Sequence, residues 1–389
     1  FPLPIKWIDN KWLINIENEE IPLGSEILSI NETKIGKIIP ELYKYYSTDG
    51  KNLTGKRVGL MAHFPKYYRL NFGLSQNFKV EYLSPNSEQI KTKSVNSLSY
   101  KAYYRNFRNI HSAPLDRIYY SNLKENQKYN YNQLDSLTGI LTVHTFAMGN
   151  ETTKEHKSYK RFLDRIFLDI RKEAIENLIV DVRNNGGGTD PNDLITYSYL
   201  TDRNFQENKQ AWISFKKIPL IRYYDIWIPR FLRPLFVGKY NKQFQEEFPE
   251  ELNGRFYQDE NSSNHKIRTP NDNAFNGDIY LLISPRVASA GSLFAAMLAG
   301  NENTTVIGEE TMGGYYGHNG HTPLSYKLPK SKMGMTFSVV NLEQDVLKRE
   351  NQSYDRGILP DHKVNQTFED FINNTDTQMN YTIELIQEK

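Results

Sequence analysis

The residues of this chain that could do chemistry are a serine, a glycine run and three histidines. Asp181-Val-Arg-Asn-Asn-Gly-Gly-Gly188 ends an apolar stretch in three glycines and precedes a helical one. Glycine lets the backbone approach a ligand and present N–H groups without a side chain in the way. A phosphate loop would need the Lys-Ser/Thr of a P-loop or GxGxxG spacing, and both are missing. What stands is an oxyanion hole of backbone donors, with Gly187 and Gly188 as its candidates, against an ordinary tight turn. Ser289 lies in Val287-Ala-Ser-Ala-Gly-Ser292, where a strand turns into a helix of small residues. A serine there is commonly an N-cap. It is also where a nucleophile meets the positive end of a helix, with the Ala290 N–H facing a developing oxyanion. Ser284, on the strand, and Ser292, one turn into the helix, are weaker candidates.

His144, His318 and His321 are the candidate bases, because imidazole changes charge near neutral pH. His318 and His321 are three apart in a Gly-rich loop, with no third ligand nearby to complete a zinc motif. No metal or cofactor is called for. Cysteine is absent, which excludes disulfides, thiolate metal sites and a cysteine nucleophile.

The elements that must position these groups follow from periodicity. Leu137–Phe146, Asn177–Arg183, Asp278–Ser284 and Thr304–Gly308 read as strands, the second nearly continuous in apolar residues as buried parallel strands are. Helical spacing runs over Arg161–Ile175, Asp193–Leu200 and Ala288–Ala299, and a closing helix falls within Thr367–Asn374 or Tyr381–Gln387. This alternation predicts a mixed α/β core. Residues 203–272, rich in aromatics including Trp212 and Trp227, break the rhythm as an insertion or lid. Upstream, Gly24-Ser-Glu-Ile-Leu-Ser-Ile-Asn31 and an amphipathic helix over Ile35–Tyr46 form a strand-turn-helix unit, with further strands expected at Phe78–Leu83 and Tyr100–Tyr104. At 389 residues the chain divides into 1–130 and 131–389. Its formal charge of +2 gives no support for nucleic-acid binding, and no apolar run reaches the ~20 residues that span a bilayer. The chain opens on Phe1 rather than Met, with the expectation that any targeting segment was removed or never included.

Taken together and in order, these segments resemble the carboxy-terminal-processing (tail-specific) serine peptidases and their tricorn-core relatives. Leu178-Ile-Val-Asp-Val-Arg-Asn-Asn-Gly-Gly-Gly188 is similar to their "liiDlRxNxGG" strand. Val287-Ala-Ser-Ala-Gly-Ser292 is similar to "SASASE", which places the nucleophile at Ser289. Val306-Ile-Gly-Glu-Glu-Thr-Met-Gly-Gly314 resembles "vGexTxGKG", and Arg356-Gly-Ile-Leu-Pro-Asp361 resembles "GixPD". The resemblance implies a PDZ-like N-terminal domain ahead of a ClpP/crotonase-like ββα superhelical core. It implies a serine endopeptidase acting on polypeptides outside the bacterial cytoplasm. The departures are specific. Gly314 stands where the family's base lysine belongs, Ser292 replaces its glutamate, and His318 takes the place of its glutamine, so His318 leads the candidate bases. His144 falls near the slot of the tricorn histidine, which aligns closer to Thr142. A non-catalytic binding protein that kept the fold is the rival from another class, and an acyl-CoA enzyme of the crotonase type is a third reading.

Overall fold

Asn177–Asp181 and Asp278–Ile283 are apolar on both faces, so they fold as the two central strands of a sheet covered on both sides. The computed structural model describes residues 1–111, 123–189, 191–226, 228–229, 232–318 and 320–389. Trp227 and part of the expected link between the two units, 112–122, lie outside the described residues. The central sheet runs 362–363, 304–308, 278–283, 177–181, 138–143, 129–133 from edge to edge. All its pairings are parallel except the last, where Tyr129–Gln133 meets Thr138–Val143 antiparallel.

Alternation sorts the side chains. Leu141, Val180, Leu281 and Val306 share one face and pack with helices Lys154–Lys172, Asn192–Ser198 and Ala290–Ala299 into the main core. Ile179, Tyr280, Leu282 and Ile307 face the C-terminal helix Thr377–Gln387. The parallel strands end at one edge, and Gly186–Gly188, Ser284–Ser289 and His144 all emerge there.

Residues 1–96 form a second, antiparallel sheet ordered 5–8, 11–14, 26–30, 77–83, 90–96, with helices Ile35–Leu42 and Thr54–Phe72 packed on it over a separate core. The expected strand-turn-helix unit is present as Glu26–Ile30 and Ile35–Leu42. The expected strand at Tyr100–Tyr104 is instead helix Tyr100–Phe107, because Ser99 caps it by accepting from the Ala102 N–H. The units interlock. Phe371, on the short C-terminal helix Phe368–Asn373, is fully buried against Ile8 and Leu13.

The aromatic insertion has its own small core, and it reaches beyond 272. Ala211, Ile213, Phe244 and Phe248 pack with Leu324, Tyr326 and Leu342. Strand Asn208–Ile213 pairs with Asn341–Gln344, and a hairpin, Pro323–Lys327 with Gly334–Ser338, stands beside them.

Candidate active site

Asn185 ties the site together. Its Nδ2 donates to the Val143 carbonyl at 3.1 Å, its Oδ1 accepts from the Gly187 N–H at 3.0 Å, and its carbonyl accepts from the Ala288 N–H at 3.3 Å. One buried asparagine thus joins the 138–143 strand, the glycine turn and the serine turn. The sequence reading passed it over; its only signal was the Asn-Asn step before the glycines.

The glycine turn leans on Ser289. A Cβ built on Gly187 would lie 2.7 Å from Ser289 Cβ and 3.1 Å from the Ala290 nitrogen, and Gly187 holds φ +106°. On Gly188 it would lie 2.0 Å from the Phe146 carbonyl carbon. Neither position has room for a side chain. Gly188 bridges Phe146 in parallel fashion: Phe146 N–H donates to the Gly187 carbonyl and Thr189 N–H to the Phe146 carbonyl. In a parallel bridge those bonds come from the flanking residues, which leaves the Gly188 N–H pointing away from Phe146. Among the described residues neither Gly188 N–H nor Ala290 N–H has an acceptor within the chain. The Gly187 N–H is already spent on Asn185.

Ser289 occupies the N-cap position of helix Ala290–Ala299 but does not cap it. Its side chain makes no cap hydrogen bond, its backbone sits at φ 53°, ψ −135°, and it is exposed. A positive φ is unusual for a residue bearing a Cβ, and at a helix entrance it lifts the side chain off the chain path. Ser292 turns inward, donating to the Ser289 carbonyl at 2.8 Å, and Ser284 donates to the Arg183 carbonyl.

Asp181 and Arg183 brace the turn from below. Arg183 pairs with Asp181 through Nε at 2.9 Å and Nη2 at 2.7 Å, and with Asp376 through Nη1 at 2.6 Å. Burial alone would raise the Asp181 carboxyl, but the guanidinium charge and its hydrogen bonds hold it below the ordinary carboxylate range. Asp376 is also the N-cap of the C-terminal helix, accepting from Met379 N–H at 3.1 Å.

The three histidines are dispersed. His144 follows the 138–143 strand, partly buried. Burial lowers its pKa, the Asp181 charge raises it and the Arg183 charge lowers it. His318 lines a cleft of about 510 Å³ with Tyr316, Tyr354, Trp212 and Arg356, and its Nδ1 accepts from the Gly320 N–H at 2.9 Å. His321 belongs to the insertion. It bonds Thr322 Oγ1 at 2.6 Å and lies near Gln258 and Glu247, and burial, with the His318 charge second, lowers its pKa to about 4. Among the described residues none of the three hydrogen-bonds Ser289.

The lysine position is closed. A Cβ at Gly314 would lie 2.3 Å from the Gly317 carbonyl oxygen. The neighbouring Gly313 packs so tightly on the serine turn that its Cβ would fall 2.2 Å from Ser292 Oγ. Of the carboxylates near this segment, Glu310 pairs with Arg356 at 2.5 Å, Asp355 with Lys51 at 2.6 Å and Asp361 with Arg349 at 2.6 Å, while Asp49 accepts from the Gly314 N–H at 3.2 Å and burial raises the Glu309 carboxyl.

Against known proteins, the profile of peptidase family S41 matches residues 137–364, more than half of the chain. No curated protein matches. Among solved structures, mature CPAF complexed with lactacystin superposes with TM-score 0.58 at 13% identity, over 99% of this chain and 82% of that one. Mature CPAF gives 0.55 at 14%, over 96% and 79%. These likenesses establish the fold over nearly the full length. A Parabacteroides merdae protein is 18% identical over 66% of this chain, which spans 64% of that protein's length, with TM-score 0.42.

Proposed function

The chain belongs to peptidase family S41, and from that premise we propose that it is a serine endopeptidase that cleaves polypeptides through an acyl-enzyme on Ser289. One observation carries the reading. Ser289 is exposed at a positive φ at the head of a helix it does not cap, so the structural role open to a serine there is unused. Its Oγ attacks the peptide carbonyl, and the Gly188 and Ala290 N–H groups receive the oxyanion. Collapse expels the amine with a proton from the base, and water then hydrolyses the ester.

We assign the base to His144 rather than His318. Thr145 Oγ1 and Phe146 N–H, next along from His144, both donate to the Gly187 carbonyl, and Gly187 packs on Ser289. Burial favours the neutral ring that a base requires. In His318 the Nδ1 accepts from the Gly320 N–H, which engages the lone pair that a base at that nitrogen would use. His321 is held in the insertion core.

The test is labelling of the protein with a fluorophosphonate and mapping of the adduct. Modification of Ser289 supports the reading, and its absence under conditions that label a control serine peptidase overturns it. The binding-protein reading rests on a specific observation, the closed lysine position at Gly314. It predicts no adduct while polypeptide is still bound. No helix among the described residues is long and apolar enough to cross a membrane; the extracytoplasmic site is proposed from the family alone. The two units, 1–130 and 131–389, are part of the same proposal.

A further inference from the structure

The hairpin of the insertion presents an unusual surface. Residues 329–337 are all exposed, and within them Met333 is 61%, Met335 49% and Phe337 47% accessible. Met335 and Phe337 are two apart on the Gly334–Ser338 strand, so they share a face. They stand opposite Tyr326 and Leu324, and the Phe337 ring stacks on Tyr326 at 5.5 Å. The face continues onto the adjoining segment, because the Tyr326 hydroxyl donates to the Pro219 carbonyl at 2.9 Å, and Leu220 beside it is 65% exposed.

The same segments are rich in cations. Lys327, Lys330 and Lys332 lie on the hairpin, and Lys216, Lys217 and Arg222 on the adjoining segment, all exposed. None of the six forms an ion pair among the described residues. Over 214–226 and 323–338 the only acid is Asp225, against a formal charge of +2 for the whole chain. The positive charge is therefore a local feature.

We propose that this face docks on an anionic lipid bilayer, with Met333, Met335, Phe337 and Leu220 entering the interface and the six cations meeting lipid phosphates. Exposed apolar side chains along the hairpin and the segment beside it, with long basic ones in the same stretches, match the layering of a bilayer surface. A second copy of the chain fits poorly, since a two-fold contact would set this face against itself and bring lysine to lysine. An acidic protein or nucleic acid would satisfy the cations but leave the apolar side chains without a partner. The proposal does not depend on the reaction at Ser289.

The experiment is co-sedimentation of the full chain with vesicles of phosphatidylglycerol and phosphatidylcholine, or of phosphatidylcholine alone. Binding is expected to the mixed vesicles only and to weaken as salt rises. Each of Lys330→Gln and Lys332→Gln should lower partitioning about fivefold. The triple variant Met333→Ser/Met335→Ser/Phe337→Ser should lose binding with all lysines in place. Fluorophosphonate labelling and melting temperature, unchanged in these variants, would show that the site and fold are intact. Absence of binding to the mixed vesicles, or binding that the apolar triple variant retains in full, would overturn the proposal. So would a shift from dimer to monomer in the triple variant by sedimentation velocity, which would assign the face to a second copy.

Discussion

Gly187→Ala isolates the glycine turn. The methyl group would start 2.7 Å from Ser289 Cβ, 3.0 Å from the Ala288 carbonyl and 3.1 Å from the Ala290 nitrogen. Two of these neighbours are backbone, so relief requires the serine turn and the glycine turn to part. The φ of +106° adds a strain of ~1–3 kcal/mol for any residue with a Cβ. Parting by a few tenths of an ångström moves the Gly188 and Ala290 donors away from a common oxyanion, and loss of one such donor costs ~2.7–4 kcal/mol in the barrier. The expected outcome is a fall in kcat of about 10²–10³-fold on an unstructured polypeptide, with a folded protein by circular dichroism and a modestly lowered melting point. Slower fluorophosphonate labelling should accompany it, since that adduct uses the same donors. Turnover and labelling at the original rate would refute the oxyanion assignment and return the run to an ordinary turn.

Ser289→Ala should abolish labelling and cleavage, yet change stability by no more than about 0.5 kcal/mol by denaturant titration, because no capping bond is lost. His144→Ala should remove nearly all turnover, whereas His318→Ala and His321→Ala should retain it. Loss in His318→Ala alone would move the base to the cleft. Because burial holds His144 below its ordinary pKa, the neutral base persists into mildly acidic solution, and the acidic limb of kcat/KM should lie below about 6.5. His321 is likewise lowered, to about 4, so its contribution to stability is present above about 6.5 and lost as pH falls toward the folded value. In His321→Gln the melting point should fall less steeply over that window. Arg183→Met leaves Asp181 buried and unpaired and should cost about 3–5 kcal/mol, read as a shift in denaturant midpoint.

The sequence made the centre of the molecule legible. The apolar run at 177–181 and the small-residue helix after Ser289 have no reasonable solution except burial, and they fix where the glycine turn and the serine must meet. Helix Thr54–Phe72 was hidden because its apolar residues do not line one face and Pro65 stands inside it. Tyr100–Tyr104 looked like a strand because tyrosine favours strands, yet the Ser99 cap decided the segment. The base was the hardest inference. The resemblance puts His318 near the serine, and the contact of its Nδ1 with the Gly320 N–H two residues away leaves no trace in spacing.

The carbonyl of Gly317 over Gly314 has a consequence for redesign. Gly314→Lys alone would not build a serine–lysine dyad in this loop, because a side chain at 314 meets backbone that must first shift. Gly317 is itself pressed on the Leu342 carbonyl, where its own Cβ would lie at 2.4 Å, so the obstruction is anchored in the strand that pairs with the insertion. Such a dyad would require the loop and that strand to shift together with the new residue. The aromatic insertion thus constrains the catalytic loop from outside: what residue 314 can carry is set by a strand far from the serine in sequence.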